Sequence, residues 1–275
     1  MHGAGRLLQD PGVGLPGRNL SVHADWLVPD WQARGVGALM TTRRGGASVA
    51  PFDSMNLRDG LGDDAGAVAI NHVTLADAIS ARPVFLNQVH GTRVARLSAA
   101  DAAAGAAVQE ADGSVTTEPG VACAVQVADC LPVLFAAPGA RAVGAAHAGW
   151  RGLAGGVLEA TLQSVCDAAH CEPAQLQAWL GACIGPEQFE VGVDVLHAYG
   201  ANAASADAAR FLPARAGKWL ANLPLLARDR LQAAGVVHIS GGDWCTVSAP
   251  SRFFSFRRSG VTGRMAALVW IQRVG

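Results

Sequence analysis

Three short apolar segments follow one another near the middle of the chain, at residues 121–128, 131–137 and 141–147. Each has the length of a β-strand, and only two or three residues separate one from the next. Further strands are predicted at about 35–42, 83–89, 176–182, 236–239 and 265–272, and helices at about 64–80, 152–169, 192–199 and 218–234. Strands therefore come in groups between helices.

This grouping constrains the fold, because parallel α/β folds alternate strands and helices strictly. The pattern favours an α+β class, with layered mixed β-sheets flanked by helices, over a Rossmann or barrel winding. A chain of 275 residues can bury a substantial core. We predict a flexible N-terminal arm at 1–25, rich in Gly and Pro, and a single domain over 26–275.

Charge and cysteine content exclude several classes of partner. Only 16% of the residues are charged and the net charge is −1, so the chain lacks the basic field that binds nucleic acid. No secretory signal pattern and no stretch of ~18 apolar residues occurs, which predicts a protein without membrane association. Six irregularly spaced cysteines are typical of reduced thiols and predict a cytoplasmic location.

Two histidines and a cysteine end or leave apolar segments: His90, Cys130 and His147. Imidazole and thiolate are preferred zinc donors, and three protein ligands leave a fourth position for water or substrate. Their separations of 40 and 17 residues match no zinc-finger spacing, so the fold would have to bring them together. The pattern favours a catalytic Zn²⁺ site over a structural one, although each residue taken alone is more typical of core packing than of function.

Several charged residues are candidates for substrate binding. Arg151 lies in a glycine-rich turn between a strand and a helix, where a guanidinium and free N–H groups could bind phosphate or carboxylate. Arg43 and Arg258 follow apolar or aromatic segments and are further phosphate-binding candidates. Asp129, beside Cys130, could orient a ligand or move a proton. For the arginines, local ion pairs remain the alternative.

Other chemistries use the same residues. A cysteine hydrolase would use Cys130 as nucleophile, with His147 or His90 as base and Asp129 as orienting group. A multicopper oxidase would need roughly ten histidines in HxH-type pairs, whereas this chain has eight histidines and no HxH. A binding module with a structural zinc remains possible, but it would lack a fourth ligand.

Five segments together resemble the YfiH or laccase-domain family: NQVHGTRV, ADGSVTTEPGVACAVQVADCLPVLF, GAAHAGWRGLAGGV, LGACIGPEQFEVG and RFFSFRRSGVTGRMA. The resemblance covers most of the chain, from about residue 26 to 271. The combination is specific, although no single segment is. The segment WCTVSAPSRFF is less polar than the family pattern, which leaves the role of Cys245 open.

The resemblance implies a layered α+β fold shared with cytotoxic necrotising factor. It implies a zinc-dependent purine nucleoside phosphorylase acting on adenosine, inosine, guanosine and methylthioadenosine, with adenosine deaminase activity. The metal ligands would be His90, Cys130 and His147, and the partners would be nucleosides and phosphate, with the protein a monomer or small homo-oligomer. Alternatives from the family are a peptidoglycan-precursor editing hydrolase and a copper-dependent polyphenol oxidase. The histidine count makes copper the less favoured metal.

Overall fold

The computed structural model describes residues 22–273. Apart from residues 22–25, the predicted N-terminal arm lies outside this range. The strands are β1 (Val36–Met40), β2 (Arg82–Val84), β3 (Val94–Leu97), β4 (Gly113–Thr116), β5 (Val121–Val127), β6 (Leu131–Ala136), β7 (Val143–Ala148), β8 (Gln177–Leu180), β9 (Glu190–Val191), β10 (Phe211–Pro213), β11 (Trp219–Ala221), β12 (His238–Gly241) and β13 (Met265–Ile271). The helices are α1 (Ala65–Ile79), α2 (Trp150–Gly155), α3 (Val157–Ala169), α4 (Val193–Ala198), α5 (Leu223–Ala233) and α6 (Phe256–Ser259).

Two large mixed sheets carry the architecture. One has the strand order β1-β13-β5-β2, and the other has the order β12-β8-β6-β7-β4-β3. Parallel pairs (β2 with β5, β3 with β4, β8 with β12) occur beside antiparallel ones such as β6 with β7. A small third sheet, β10-β11-β9, follows them in the chain.

Burial on both faces explains why the central segments are continuously apolar. Along β5, Val125 enters the core between the two sheets, whereas Ala124 enters a second core that contains Leu75 of α1. On the six-stranded sheet, Leu134 faces the shared core, and the opposite face packs against α3 and α5. The order of layers is therefore helix, sheet, sheet, helices, which confirms the predicted α+β class.

Three predicted elements have different boundaries in the structure. The helix expected at 152–169 is divided at Gly156, which adopts a φ of 102° and separates α2 from α3. The helix expected at 218–234 begins only at Leu223, because residues 219–221 pair in β11 and the Asn222 side chain caps the helix. The strand expected at 83–89 ends at Val84. Among residues 22–273, no helix has the length and apolar character needed to span a membrane.

Candidate metal centre

The three predicted donors come from three different parts of the fold. His90 lies in the loop after β2, Cys130 in the short crossing between β5 and β6, and His147 within β7. His147 is buried, Cys130 is partly buried and His90 is exposed. The cluster therefore lies at the edge of the core, with one side open to solvent.

The geometry of the cluster fits a single metal ion. The ligand atoms of His90, Cys130 and His147 all lie within 4.8 Å of one another, and Cys130 Sγ is 3.7 Å from His90 Nε2. Zinc–nitrogen and zinc–sulfur bonds of about 2.0–2.3 Å place tetrahedral donors about 3.5 Å apart. Small side-chain movements would bring all three donors onto one ion. These residues could therefore hold a metal with one position left open.

A buried aspartate holds two of the donors in place. Asp112 is fully buried, and its carboxylate accepts hydrogen bonds from the backbone N–H groups of Val89 (3.1 Å), His90 (2.9 Å) and Gly91 (2.7 Å). It also accepts from Nδ1 of His147 at 2.8 Å. Because Nδ1 is occupied in this way, His147 turns Nε2 towards the cluster, as second-shell carboxylates do at zinc sites.

The electrostatics of the cluster favour a thiolate. Burial opposes ionisation of Cys130, but the adjacent imidazoles of His147 and His90 outweigh it and lower the pKa of the thiol to about 6. Burial likewise opposes charge on His147, yet the Cys130 thiolate and Asp112 raise the pKa of the imidazole to about 9. In the absence of a metal, the cluster is thus a thiolate–imidazolium pair. A cation that replaces the imidazolium proton would bind a donor set that is already negatively charged.

Position 149 has no room for a side chain, because His90 and Cys130 lie close to the α-carbon of Gly149. A Cβ at this position would lie 2.6 Å from Cδ2 of His90 and 3.1 Å from Sγ of Cys130. We expect Gly149→Ala to displace both donors and to weaken zinc binding about tenfold or more, the cost of disturbing a ligand's support. Zinc affinity measured by chelator competition would test this.

Gly91→Ala is the matched control for that substitution. A Cβ on Gly91 would meet its nearest atom at 3.5 Å, an ordinary contact, although the residue is adjacent to His90. Equal zinc affinities for the Gly149 and Gly91 variants would contradict the close-approach argument.

Asp129 lies next to Cys130 but does not face the donors. Its two carboxylate oxygens accept hydrogen bonds from Thr246 Oγ1 and from the backbone N–H of Arg257, each at 2.6 Å. The residue is buried and has a φ of 100°, in the region that favours glycine. These contacts hold the strained turn that presents Cys130.

The three predicted phosphate-binding arginines lie outside the donor cluster. Arg43 pairs with Asp53 at 2.8 Å and donates to the Asp53 and Pro250 carbonyls. Arg258 donates to three backbone carbonyl oxygens, including that of Phe253 at 2.8 Å. Arg151 is exposed at the start of α2, where its guanidinium lies 4.3 Å from the centre of the Trp150 ring.

Two cavities of different character adjoin the cluster. The first, about 150 Å³, is mainly apolar and includes Trp150, Phe189 and Phe256 in its lining. The second, about 360 Å³, contains the donors His90 and His147 and two guanidinium groups, those of Arg58 and Arg264. Both cavities are lined by Cys130, so they adjoin at one of the donors. We name them the aromatic cavity and the cationic cavity.

Sequence reasoning missed several residues of this site. Asp112 carried only a weak signal: a carboxylate at a strand junction is costly to bury unless it is paired, but the strand that follows it, GSVT, is not apolar. The same argument drew attention to Asp129. Arg58 carried no local signal, since a single arginine in a polar loop is usually solvated.

Comparisons with known proteins extend the resemblance seen in the sequence. The profile of the family described as multi-copper polyphenol oxidoreductase laccase matches residues 37–272. The chain is 47% identical over 248 residues to a purine nucleoside phosphorylase of Pseudomonas aeruginosa, covering 90% of this chain and 98% of that protein. It is 45% identical over 248 residues to the purine nucleoside phosphorylase YfiH of Escherichia coli, covering 89% and 98% respectively.

Solved structures show the same similarity. The fold matches the Neisseria meningitidis protein NMB0706 with a TM-score of 0.83 and 43% identity, covering 90% of this chain and 100% of the other. It matches YlmD from Geobacillus stearothermophilus with a TM-score of 0.83 and 34% identity, covering 90% and 96%.

Proposed function

Because this chain belongs to the laccase-domain family, we propose that it is a zinc-dependent purine nucleoside phosphorylase that also deaminates adenosine. The names of its relatives support an enzyme that uses purine nucleosides and phosphate. Adenosine, inosine, guanosine and methylthioadenosine are the proposed substrates. The six cysteines are all unpaired, which supports a reducing, cytoplasmic location.

The observation that carries this proposal is the cationic cavity beside the donor cluster. Arg58 and Arg264 both line this cavity. Burial, and then the neighbouring charge of Arg58, lower the pKa of the Arg264 guanidinium. A bound dianion would relieve the repulsion between these two groups and would be held by charge-assisted hydrogen bonds. We therefore place phosphate with Arg58 and Arg264, in preference to Arg43, Arg151 and Arg258.

Phosphorolysis asks the protein mainly to position two reactants. A phosphate oxygen forms a bond to the anomeric carbon of the ribose as the bond from that carbon to the base nitrogen breaks, and the departing base takes up a proton. Arg58 and Arg264 would hold the phosphate in line with the anomeric carbon, which replaces a bimolecular encounter with a positioned one. Zinc, when bound, supplies Lewis acidity towards a substrate oxygen or, in deamination, towards water.

The donor set supports one metal ion per chain. Among residues 22–273, His90, Cys130 and His147 are the one group of three or more metal-binding side chains. A trinuclear copper cluster needs many more histidines in close pairs. We propose zinc, and metal analysis of the protein as isolated tests this. Several copper ions per chain would contradict it.

The activity can be tested with purified zinc-loaded protein. Adenosine or inosine is incubated with and without phosphate, and the free base, ribose-1-phosphate and inosine are quantified. We expect release of adenine and hypoxanthine that depends on phosphate, and conversion of adenosine to inosine that does not. Base release that is unaffected by phosphate would show hydrolysis and overturn the phosphorolytic assignment.

Arg58→Gln tests the phosphate site. Loss of a charged hydrogen-bond partner costs about 1.5–3 kcal/mol, so we expect the KM for phosphate to rise about tenfold or more. The zinc content and the KM for inosine should change little. Arg34→Gln, at an exposed arginine in the turn before β1, is the matched control. A phosphate KM that is the same in both variants would remove Arg58 from the site.

A further inference from the structure

The aromatic and cationic cavities share three lining residues, and one of them is aromatic. Phe256 lines both cavities, as do Ala128 and Cys130. A substrate that reaches from one cavity into the other would therefore pass these three residues. The position of this ring decides what the aromatic cavity can accept.

Phe256 is unusual for a large apolar residue beside a buried cluster. Its side chain is 58% exposed, whereas Phe253 and Phe254 in the same segment are almost fully buried. Single exposed apolar residues are common on protein surfaces. Phe256 differs because it stands at the opening of two cavities, with the Arg264 guanidinium 5.8 Å from its ring centre.

The backbone that carries this ring is firmly held. The Ser255 side chain caps α6 by accepting from the backbone N–H of Arg258, at 3.2 Å. The next residue, Arg257, donates its backbone N–H to Asp129 and its guanidinium to the Glu190 carbonyl at 3.1 Å. Asp129 also directly precedes Cys130. One residue therefore connects the backbone that carries the Phe256 ring with the backbone that carries the Cys130 thiol. An aromatic surface fixed in this way costs little entropy when a ligand stacks on it.

Most of the other residues that line the aromatic cavity are aromatic or aliphatic, and Asp129 and Arg257 line it as well. Trp150 lines it, and the Arg151 guanidinium covers part of the indole at 4.3 Å from the ring centre. The Tyr199 hydroxyl fixes the Trp150 backbone by donating to its carbonyl oxygen at 3.2 Å. Phe189, Ile184 and Leu223 complete the apolar lining. At about 150 Å³, the cavity is well below the size of drug-sized sites and suits one flat heterocycle.

We infer that Phe256 is the stacking platform for the nucleobase and the main determinant of base binding at this site. The inference rests on the proposed function for the identity of the heterocycle, a purine. The base lies in the aromatic cavity against Phe256, phosphate lies in the cationic cavity, and the glycosidic bond between them lies beside Cys130. Stacking on a side chain is tolerant of ring substituents, so the platform accepts both amino- and oxo-purines.

Binding of free adenine to the zinc-loaded protein tests this without turnover, by isothermal titration calorimetry. Stacking of one base on an aromatic side chain corresponds to roughly 5–150-fold in affinity, so we expect Phe256→Ala to weaken adenine binding about tenfold or more. Phe256→Tyr should stay within about threefold of the original protein, because the π-face is kept. Zinc content should not change. Val261→Ala is the control, because Val261 is 60% exposed on the same segment and lines neither cavity.

The outcomes separate this inference from the proposed function. If Phe256→Ala binds adenine as tightly as Val261→Ala does, the platform is wrong even when phosphorolysis is confirmed. If Phe256→Leu binds as tightly as Phe256→Tyr, apolar area rather than stacking holds the base, and the platform is again wrong. If the original protein binds adenine through Phe256 but cleaves no nucleoside, the inference stands and the phosphorolytic function fails.

Discussion

Cys130→Ala is expected to abolish zinc retention and nucleoside cleavage together. The substitution removes the only thiolate from the cluster and leaves His90 and His147 as the remaining donors. Loss of a second-shell partner alone costs about 10–100-fold in metal affinity, so loss of a ligand should cost more than ~100-fold. Zinc per chain after dialysis and the rate of hypoxanthine release from inosine are the measurements.

Cys130→Asp separates a metal ligand from a nucleophile. A carboxylate can replace a thiolate as a zinc donor, but it would not perform the attack expected of a cysteine hydrolase. We expect activity to follow the zinc content in this variant. A zinc-loaded but inactive Cys130→Asp protein would favour the nucleophile, and full phosphorolysis by zinc-free Cys130→Ala would remove the metal from the mechanism. Cys171→Ala, at a partly buried cysteine just after α3, is the matched control.

The central layers could be predicted because their sequence pattern has a single simple cause. Strands β5, β6, β7 and β13 are buried on both faces, so their residues are apolar without alternation. Strand β4 could not be found in this way, since its sequence GSVT contains Ser114 and Thr116. Thr116 is accommodated by a hydrogen bond to the Leu97 carbonyl on β3, a contact that exists only in the folded protein. The strand conformation of β4 therefore depends on contacts with its neighbours in the folded protein.

The residues of the candidate metal centre show the same difference between local sequence pattern and tertiary contacts. His90, Cys130 and His147 were found because few roles explain these residue types at the ends of apolar segments. Their supporting carboxylate depends on strand register: Gly113 of β4 pairs with Ala146 of β7, which places the preceding Asp112 beside His147. No local pattern encodes that pairing.

The arginines show most clearly what could not be predicted from the sequence. A long flexible guanidinium takes whatever partners the loops around it provide. The loop at 249–254 supplies Arg43 and Arg258 with backbone carbonyls. Arg264 also donates to backbone carbonyls, those of Thr262 and Gly263, but together with Arg58 it lines the cationic cavity. The sequence offered several arginines as candidates but did not distinguish which of them line the cavity beside the donors.

Asp112→Asn is expected to weaken zinc binding and to destabilise the metal-free protein. The carboxylate accepts from three backbone N–H groups and from His147, using both oxygens. An amide has one acceptor oxygen. At the place of Oδ1 it could accept from His147 Nδ1 and the His90 N–H, but its NH₂ would then face the N–H groups of Val89 and Gly91. An unsatisfied buried donor costs about 1–3 kcal/mol, which chemical denaturation of the metal-free variant should detect.

The effect on the metal follows from the same geometry and can be measured separately. The acceptor at Nδ1 loses its negative charge, and it is lost altogether if the amide turns its NH₂ towards His147, so Nε2 is held less firmly towards the other donors. We expect zinc affinity to fall about 10–100-fold, as for other second-shell partners, measured by chelator competition on samples whose near-UV circular dichroism is native. Asp77→Asn, at an exposed aspartate of α1, is the matched control and should change neither quantity. A variant that loses stability but binds zinc with full affinity would restrict Asp112 to folding. A loss of both, with Asp77→Asn unaffected, would show that one buried carboxylate orders the His90 loop and orients His147, so that folding itself prepares the metal site.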